Sequence, residues 1–270
     1  LVADIVAPEQ RGAAYGLRQA LDSVGAFLGP LLALLGMIWL AGNIRGVMWL
    51  AVPFAFITVI ILTAFVHEPQ REPSSASASK MFAGARRLSG RYWLVVVLGA
   101  VFTLARFSEA FLVLRASDVG VDLRYVPAIM IVMNVAYAGV AYPAGAAADR
   151  VSRRALLLFG LVLLIAADLV LAWATSPAPA FVGAFLWGLH MAFTQGLFSK
   201  LVADASPSEL RGTAFGVFNL TSGLALLLAS TIAGALWTRY GPSATFLTGA
   251  AFAALAALGL SFQRFGRSGD

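Results

Sequence analysis

Two ionisable side chains, Arg106 and Glu109, stand inside the otherwise apolar run LVVVLGAVFTLARFSEAFLVLR. Charge in so apolar a segment is costly enough to mark a functional candidate by default. A spacing of three puts both on one face of a helix, at or somewhat beyond the middle of the run. Arg106 can hold an anionic group, and Glu109 can bind a cationic one or carry a proton. The competing reading is an ion pair that satisfies itself and only positions the helix. Arg115, at the end of the run, is expected to snorkel towards water. Neutral polar residues recur at helical spacing nearby in the chain: Asn134 with Tyr137, and His190 with Thr194, flanked by Trp187 and Gln195. These sets can line a cavity, although a histidine in such a helix also commonly hydrogen-bonds a neighbouring helix. Asp168 and Asn219 are weaker candidates, expected to reach across to other helices as hydrogen-bonding packing contacts.

Catalytic constellations are missing from the sequence. There is no Gly-x-Ser-x-Gly elbow, no phosphate-binding Gly-x-x-x-x-Gly-Lys loop and no metalloprotease histidine pair. The two histidines, His67 and His190, lie in different surroundings, and there is no cysteine. No enzyme activity, cofactor or metal is expected.

The elements that must position these side chains follow from composition. Hydrophobic residues make up 60% and charged ones 12% of the 270 residues, with a mean hydropathy of +0.85. That exceeds what a soluble core requires. Crossing a bilayer as a helix takes roughly 20 mostly apolar residues, and the sequence offers eight such runs, centred on 19–40, 46–66, 93–114, 126–147, 155–173, 179–199, 213–236 and 243–262. The expected fold class is therefore an all-α polytopic membrane protein of about eight transmembrane helices. A net charge of +6 and a pI near 10.2 raise the question of nucleic acid, and the placement of the basic residues excludes it. On one side stand Arg11, Arg18, Arg71, Lys80, Arg86, Arg87, Arg91, Arg150, Arg153, Arg154, Lys200, Arg211, Arg264 and Arg267, and on the other only Arg45, Arg115, Arg124 and Arg239. This asymmetry is the positive-inside bias and predicts both ends of the chain in the cytoplasm.

An internal repeat organises the runs. LVADIVAPEQRGAAYG (1–16) and LVADASPSELRGTAFG (201–216) agree at nine of sixteen positions and introduce the first and the seventh run. The repeating unit then holds six helices. Runs three to eight make one unit (93–270), runs one and two (1–66) close an earlier one, and HEPQREPSSASASKMFAGARRLSGRY (67–92) is the linker between them. Four further helices are expected upstream, which makes this sequence an N-terminally truncated piece. Proline and serine open the turns at 7–12 and 206–212, Glu9 and Glu209 sit near helix starts, and Arg18 and Asp22 are spaced to pair on one face.

Parallel six-helix repeats joined by such a linker resemble the major facilitator superfamily. GAAADRVSRR carries the resemblance further: Gly145, Asp149, Arg150, Arg153 and Arg154 match that superfamily's Gly-x-x-x-Asp-Arg-x-Gly-Arg-Arg loop, with Ser152 in place of its glycine. By that match Gly145 lets helix and loop approach closely, Asp149 pairs or caps, and the arginines meet anionic headgroups in a gating role. GAFLGP resembles the Gly-Pro segment on the fifth helix of the superfamily's antiporters through Gly25, Gly29 and Pro30, though Ala33 and Leu34 replace two further glycines. The resemblance thus implies helices five to twelve of a six-plus-six transporter in a bacterial drug or metabolite efflux-like branch. It implies proton-coupled export of small molecules by a monomer in the inner membrane, with protons and lipid as its other partners. The alternatives are uptake of a small organic anion held by Arg106, and a transport-dead scaffold that binds a partner protein.

Overall fold

The computed structural model describes residues 11–65, 85, 87–147 and 151–262; the side chains of 11–20, 23, 208 and 262 are outside the description. Its elements are helical: α1 (Arg11–Trp39), α2 (Ile44–Phe65), α3 (Gly90–Ala105), α4 (Ala110–Asp118), α5 (Ala128–Ala147), α6 (Arg153–Ala172), α7 (Pro177–Ala205), α8 (Arg211–Tyr240) and α9 (Pro242–Phe262), with a 3-10 turn at Ser208–Leu210. Among the described residues seven segments are long and apolar enough to cross a membrane, α3 and α4 counting together as Gly90–Asp118, and Val24–Trp39 adds a shorter apolar stretch. The all-α polytopic class expected from composition is what the chain adopts.

Local chemistry sets the helix ends. Ser89 accepts a hydrogen bond from the Tyr92 N–H (3.3 Å) at the start of α3, and Ser152 accepts one from Ala155 (3.2 Å) at the start of α6; both are N-caps that satisfy orphan amides. Proline opens α7 at its first position, where its missing N–H costs nothing. Between α8 and α9 the chain reverses at Gly241, whose φ of +85° suits a residue without Cβ, and Pro242 then starts α9.

The chain divides into two compact units, Leu1–Ser75 with Asp122–Ile131, and Ala76–Val121 with Val132–Asp270. In the first, α1 packs on α2, and no residue of α2 is buried. Trp49, Phe54 and Phe65 are exposed, a surface that hydrocarbon solvates at no cost and water would not. In the turn 119–127 Arg124 donates to Asp122 at 3.0 and 2.8 Å. That side-chain hydrogen bond, with a further one from the Arg124 amide, holds the Asp122 carboxyl down at about 2.

In the second unit α6 packs against α7 and α9, and α3 against α8, α9 and α7. Close approach depends on small residues: a Cβ at Gly188 of α7 would overlap the Met133 carbonyl of α5 and fall 2.9 Å from Ala136 Cβ. An aromatic cluster fills one end of this unit. Phe107 is centred among Phe111, Trp187 and Phe246 at 5.1, 5.4 and 5.4 Å between ring centroids, and Trp237 joins through Phe111 at 5.7 Å. At the other end polar contacts link the helices: Arg153 pairs with Asp204 at 2.7 Å and Arg154 donates to the Ser261 carbonyl, both exposed, and the buried Tyr92 hydroxyl donates to Ala214 O at 2.8 Å.

Candidate functional site

The third apolar run is not one helix. α3 ends at Ala105 and α4 begins at Ala110, with Arg106 extended (φ −122°, ψ 107°) and Glu109 preceding α4 (φ −59°, ψ −16°). The expectation that a continuous helix sets Arg106 and Glu109 on one face is therefore corrected. Neither proline nor glycine causes the break, so other groups must take over the backbone hydrogen bonds it frees. The Ser108 N–H donates to Ser230 Oγ of α8 (3.1 Å), the Ala110 N–H to Ser108 Oγ (3.3 Å), and the Arg106 N–H to Thr103 O (3.1 Å). The buried Phe107 ring anchors the interruption in the aromatic cluster. Ser230 and Phe107 escaped sequence reasoning; the hydroxyl pair Ser230-Thr231 in an apolar run is the signal the sequence carried.

Arg106 lies within electrostatic range of Glu109 and Tyr137 and of His190. Four of the residues singled out in the sequence therefore share one neighbourhood. Arg106 and Glu109 are each partly exposed, and among the described residues they do not form an ion pair with each other within 4.0 Å. Such an arrangement leaves a cationic fork and a carboxylate each able to engage another group.

His190 is 2% exposed, and its Nδ1 lies 2.8 Å from Gly160 O of α6. A carbonyl only accepts, so Nδ1 carries the hydrogen and Nε2 the lone pair. Thr194 is buried and spends its hydroxyl on His190 O (2.9 Å). Asn134, Tyr137 and Gln195 are half-buried and Asn219 is exposed; Asn134 is engaged.

Elsewhere the structure departs from expectation at two residues. Arg115 does not snorkel. It is 5% exposed and its guanidinium donates to the carbonyls of Leu171 (2.9 Å), Ala174 (2.7 Å) and Ala172 (3.3 Å) while pairing with Asp118. The carbonyls at and just past the end of α6 are short of backbone donors, Leu171 O accepting a long bond from the Ala174 N–H (3.4 Å), and carry the negative end of its dipole, so a buried cation is better placed there than at a headgroup. Asp168 is not a hydrogen-bonding packing contact: it is fully buried, and neither carboxyl oxygen has a partner.

Of the loop expected to gate, Asp149 and Arg150 lie outside the described residues, and Arg153 and Arg154 make the contacts given above. Outside its own helix, no described atom comes within 4 Å of a Cβ placed at Gly145, Gly25 or Gly29; residues 148–150, the part of the loop that Gly145 is expected to approach, lie outside the description. Pro30 lies within α1, which continues through it. Arg18 has no described side chain, and Asp22 is engaged. Residues 66–84, most of the expected linker, are also outside the description.

Comparison with known proteins agrees with this architecture. The model of the Major Facilitator Superfamily matches residues 1–114 and 110–267. An uncharacterised MFS-type transporter of Methanocaldococcus jannaschii is 32% identical over 262 residues, covering 94% of this chain and 65% of the relative. An uncharacterised protein of Mycobacterium tuberculosis is 25% identical over 238 residues, covering 84% of this chain and 56% of its own length. The chain thus spans less than two thirds of these relatives. A crystal structure of a mutant of the nucleoside transporter NupG superposes with a TM-score of 0.73 over 93% of this chain and 68% of that one, at 14% identity, a likeness of fold. With seven long apolar segments among its described residues and a family model matched along nearly its whole length, the chain belongs to the Major Facilitator Superfamily.

Proposed function

We propose that this chain is part of a secondary active transporter that exports small molecules by alternating access in exchange for protons, with Arg106 and Glu109 at the heart of its site. The observation that carries this reading is the break between α3 and α4. It leaves an arginine and a glutamate unpaired with one another, the arginine within electrostatic range of Tyr137 and His190, and non-helical backbone at membrane depth serves ion and substrate sites in transporters. Glu109 is the proton-carrying group, and Arg106 with Tyr137, Asn134 and Gln195 orients the solute. The Gly25, Gly29 and Pro30 segment supports export. In this reading residues 1–66 close a first six-helix bundle, 67–92 link it to the second, 93–270, and both ends face the cytoplasm of a bacterial inner membrane.

The test is flux in proteoliposomes containing the full-length protein. Glu109→Gln abolishes transport driven by a pH gradient while solute exchange without a gradient persists; gradient-driven flux at the wild-type rate removes Glu109 from the mechanism. One observation favours a second reading, uptake of an organic anion: among the described residues Arg106 has no carboxylate within ion-pair distance. Accumulation of a carboxylate that disappears in Arg106→Ala would select uptake over export.

A further inference from the structure

Asp168 stands on α6 one turn before its end at Ala172, fully buried, with Oδ1 and Oδ2 both lacking a hydrogen-bond partner. Its carboxyl lies against α9 at Gly249, where a Cβ would come 2.7 Å from Oδ2 and 2.8 Å from Phe107 Cε1. Only glycine leaves room for the acid there. Beside this contact is a cavity of about 20 Å³ lined in part by Phe107, Thr245, Thr248 and Gly249, enough for about one water molecule.

No neighbouring charge balances the group. α9 carries no titratable residue. On α7, His190 is bound to Gly160 O, Asp204 pairs with Arg153 at the far end of the unit, and Lys200 is engaged one turn before it. Around the break, Arg106 and Glu109 flank Phe107 without pairing to Asp168. Arg115, although it reaches Leu171 O, is committed to the carbonyls and to Asp118. A bare carboxylate enclosed by apolar atoms with no donor would cost far more than a folded protein's whole stability margin, whereas the neutral acid is tolerable.

We propose that Asp168 holds a bound proton in this conformation, making the seam between α6 and α9 a proton-binding site separate from the Arg106 and Glu109 neighbourhood. Loss of that proton is linked to opening of the seam. Once ionised, the carboxylate needs more water than the single molecule the adjoining cavity can hold, and a fuller hydration shell reaches it only if Gly249 and Phe107 move away. By linkage, a conformation with the seam open binds the proton less tightly than the closed one. The inference stands on Asp168 and its surroundings alone and survives whether the transporter exports or imports.

Infrared spectra of the full-length protein in lipid at pH 7 test the protonation. A protonated-carboxyl band, shifted by carboxyl-¹³C aspartate but not by labelled glutamate, is expected in the wild type and absent from Asp168→Asn. The other described aspartates, Asp22, Asp118, Asp122 and Asp204, are exposed, so among the described residues the aspartate label points to Asp168, and its loss in an Asp168→Asn protein that still unfolds cooperatively assigns the band; an aspartate band retained in that variant overturns the assignment. No such band in the wild type overturns the proposal. Thermal midpoints between pH 6 and pH 9 test the linkage: the wild type falls by several degrees as pH rises and Asp168→Asn stays flat, and parallel curves would refute it.

Discussion

Arg115 shows what a single buried side chain does at the end of a span. Three carbonyls at and just past the end of α6 and the Asp118 carboxylate converge on one guanidinium, so truncation takes a short bond from Ala174 O, thins the bonding of the other two and leaves a carboxylate without its cation. Arg115→Ala is expected to cost roughly 3 kcal/mol of stability, read as a lowered unfolding midpoint in detergent. Arg115→Lys should recover less than half of that loss, because an ammonium is a point charge and cannot fork to several acceptors at fixed angles. A midpoint unchanged by Arg115→Ala would show the contacts to be dispensable. The sequence placed Arg115 correctly near a span end, where snorkelling is the ordinary outcome. Which way its side chain turns depends on the end of α6, more than fifty residues later, and no local pattern records that. Asp168 was hidden for the same reason: its type was visible, its lack of partners was not.

Among the elements, the interrupted third span was the least legible. Arg-Phe-Ser-Glu contains no residue that forbids helix, and apolar periodicity runs through it, so a continuous helix was the sound expectation. What breaks it is tertiary: Ser230 on α8 takes the Ser108 N–H, and three aromatic neighbours, Trp187, Phe246 and Trp237, fix the Phe107 and Phe111 pair. Ser230→Ala should therefore destabilise the break by roughly 1–3 kcal/mol, the cost of an orphaned, partly buried donor. Hydrogen exchange at the Ser108 amide is expected to accelerate; an unchanged rate would mean that the break is held by its aromatic anchor alone. The remaining helices were legible because their signals are local. Ser89 and Ser152 cap, Pro177 opens, and Gly241 followed by Pro242 stops one helix and starts the next. The boundaries of α6, α7, α8 and α9 fall close to those read from hydropathy, most extending by a turn or less beyond the apolar run into polar residues.

For the molecule in its membrane, the fourteen-to-four distribution of basic residues predicts a fixed orientation. The absence of cysteine makes it directly measurable. A single cysteine at Ser152, before α6, should react with an impermeant maleimide only from the cytoplasmic side. One at Ser176, before α7, should react only from outside. Labelling of both from the same side would overturn the topology.

The two ends of the second unit are fastened differently. At one, Ala172 O accepts from Arg115 Nη2 of α4 (3.3 Å) and from Ser243 Oγ of α9 (2.7 Å), so three helices are tied through a single carbonyl in a sheltered place. At the other, the same α6 is held to α7 and α9 by exposed contacts from Arg153 and Arg154, which water and salt can exchange. Helices pinned together at one tip and loosely laced at the other behave as the blades of tongs. Spreading of α6 from α9 is then expected to be widest at the tip that carries Arg153 and Arg154, so the small separation that wets Asp168, one turn from the Ala172 rivet, goes with a large one there.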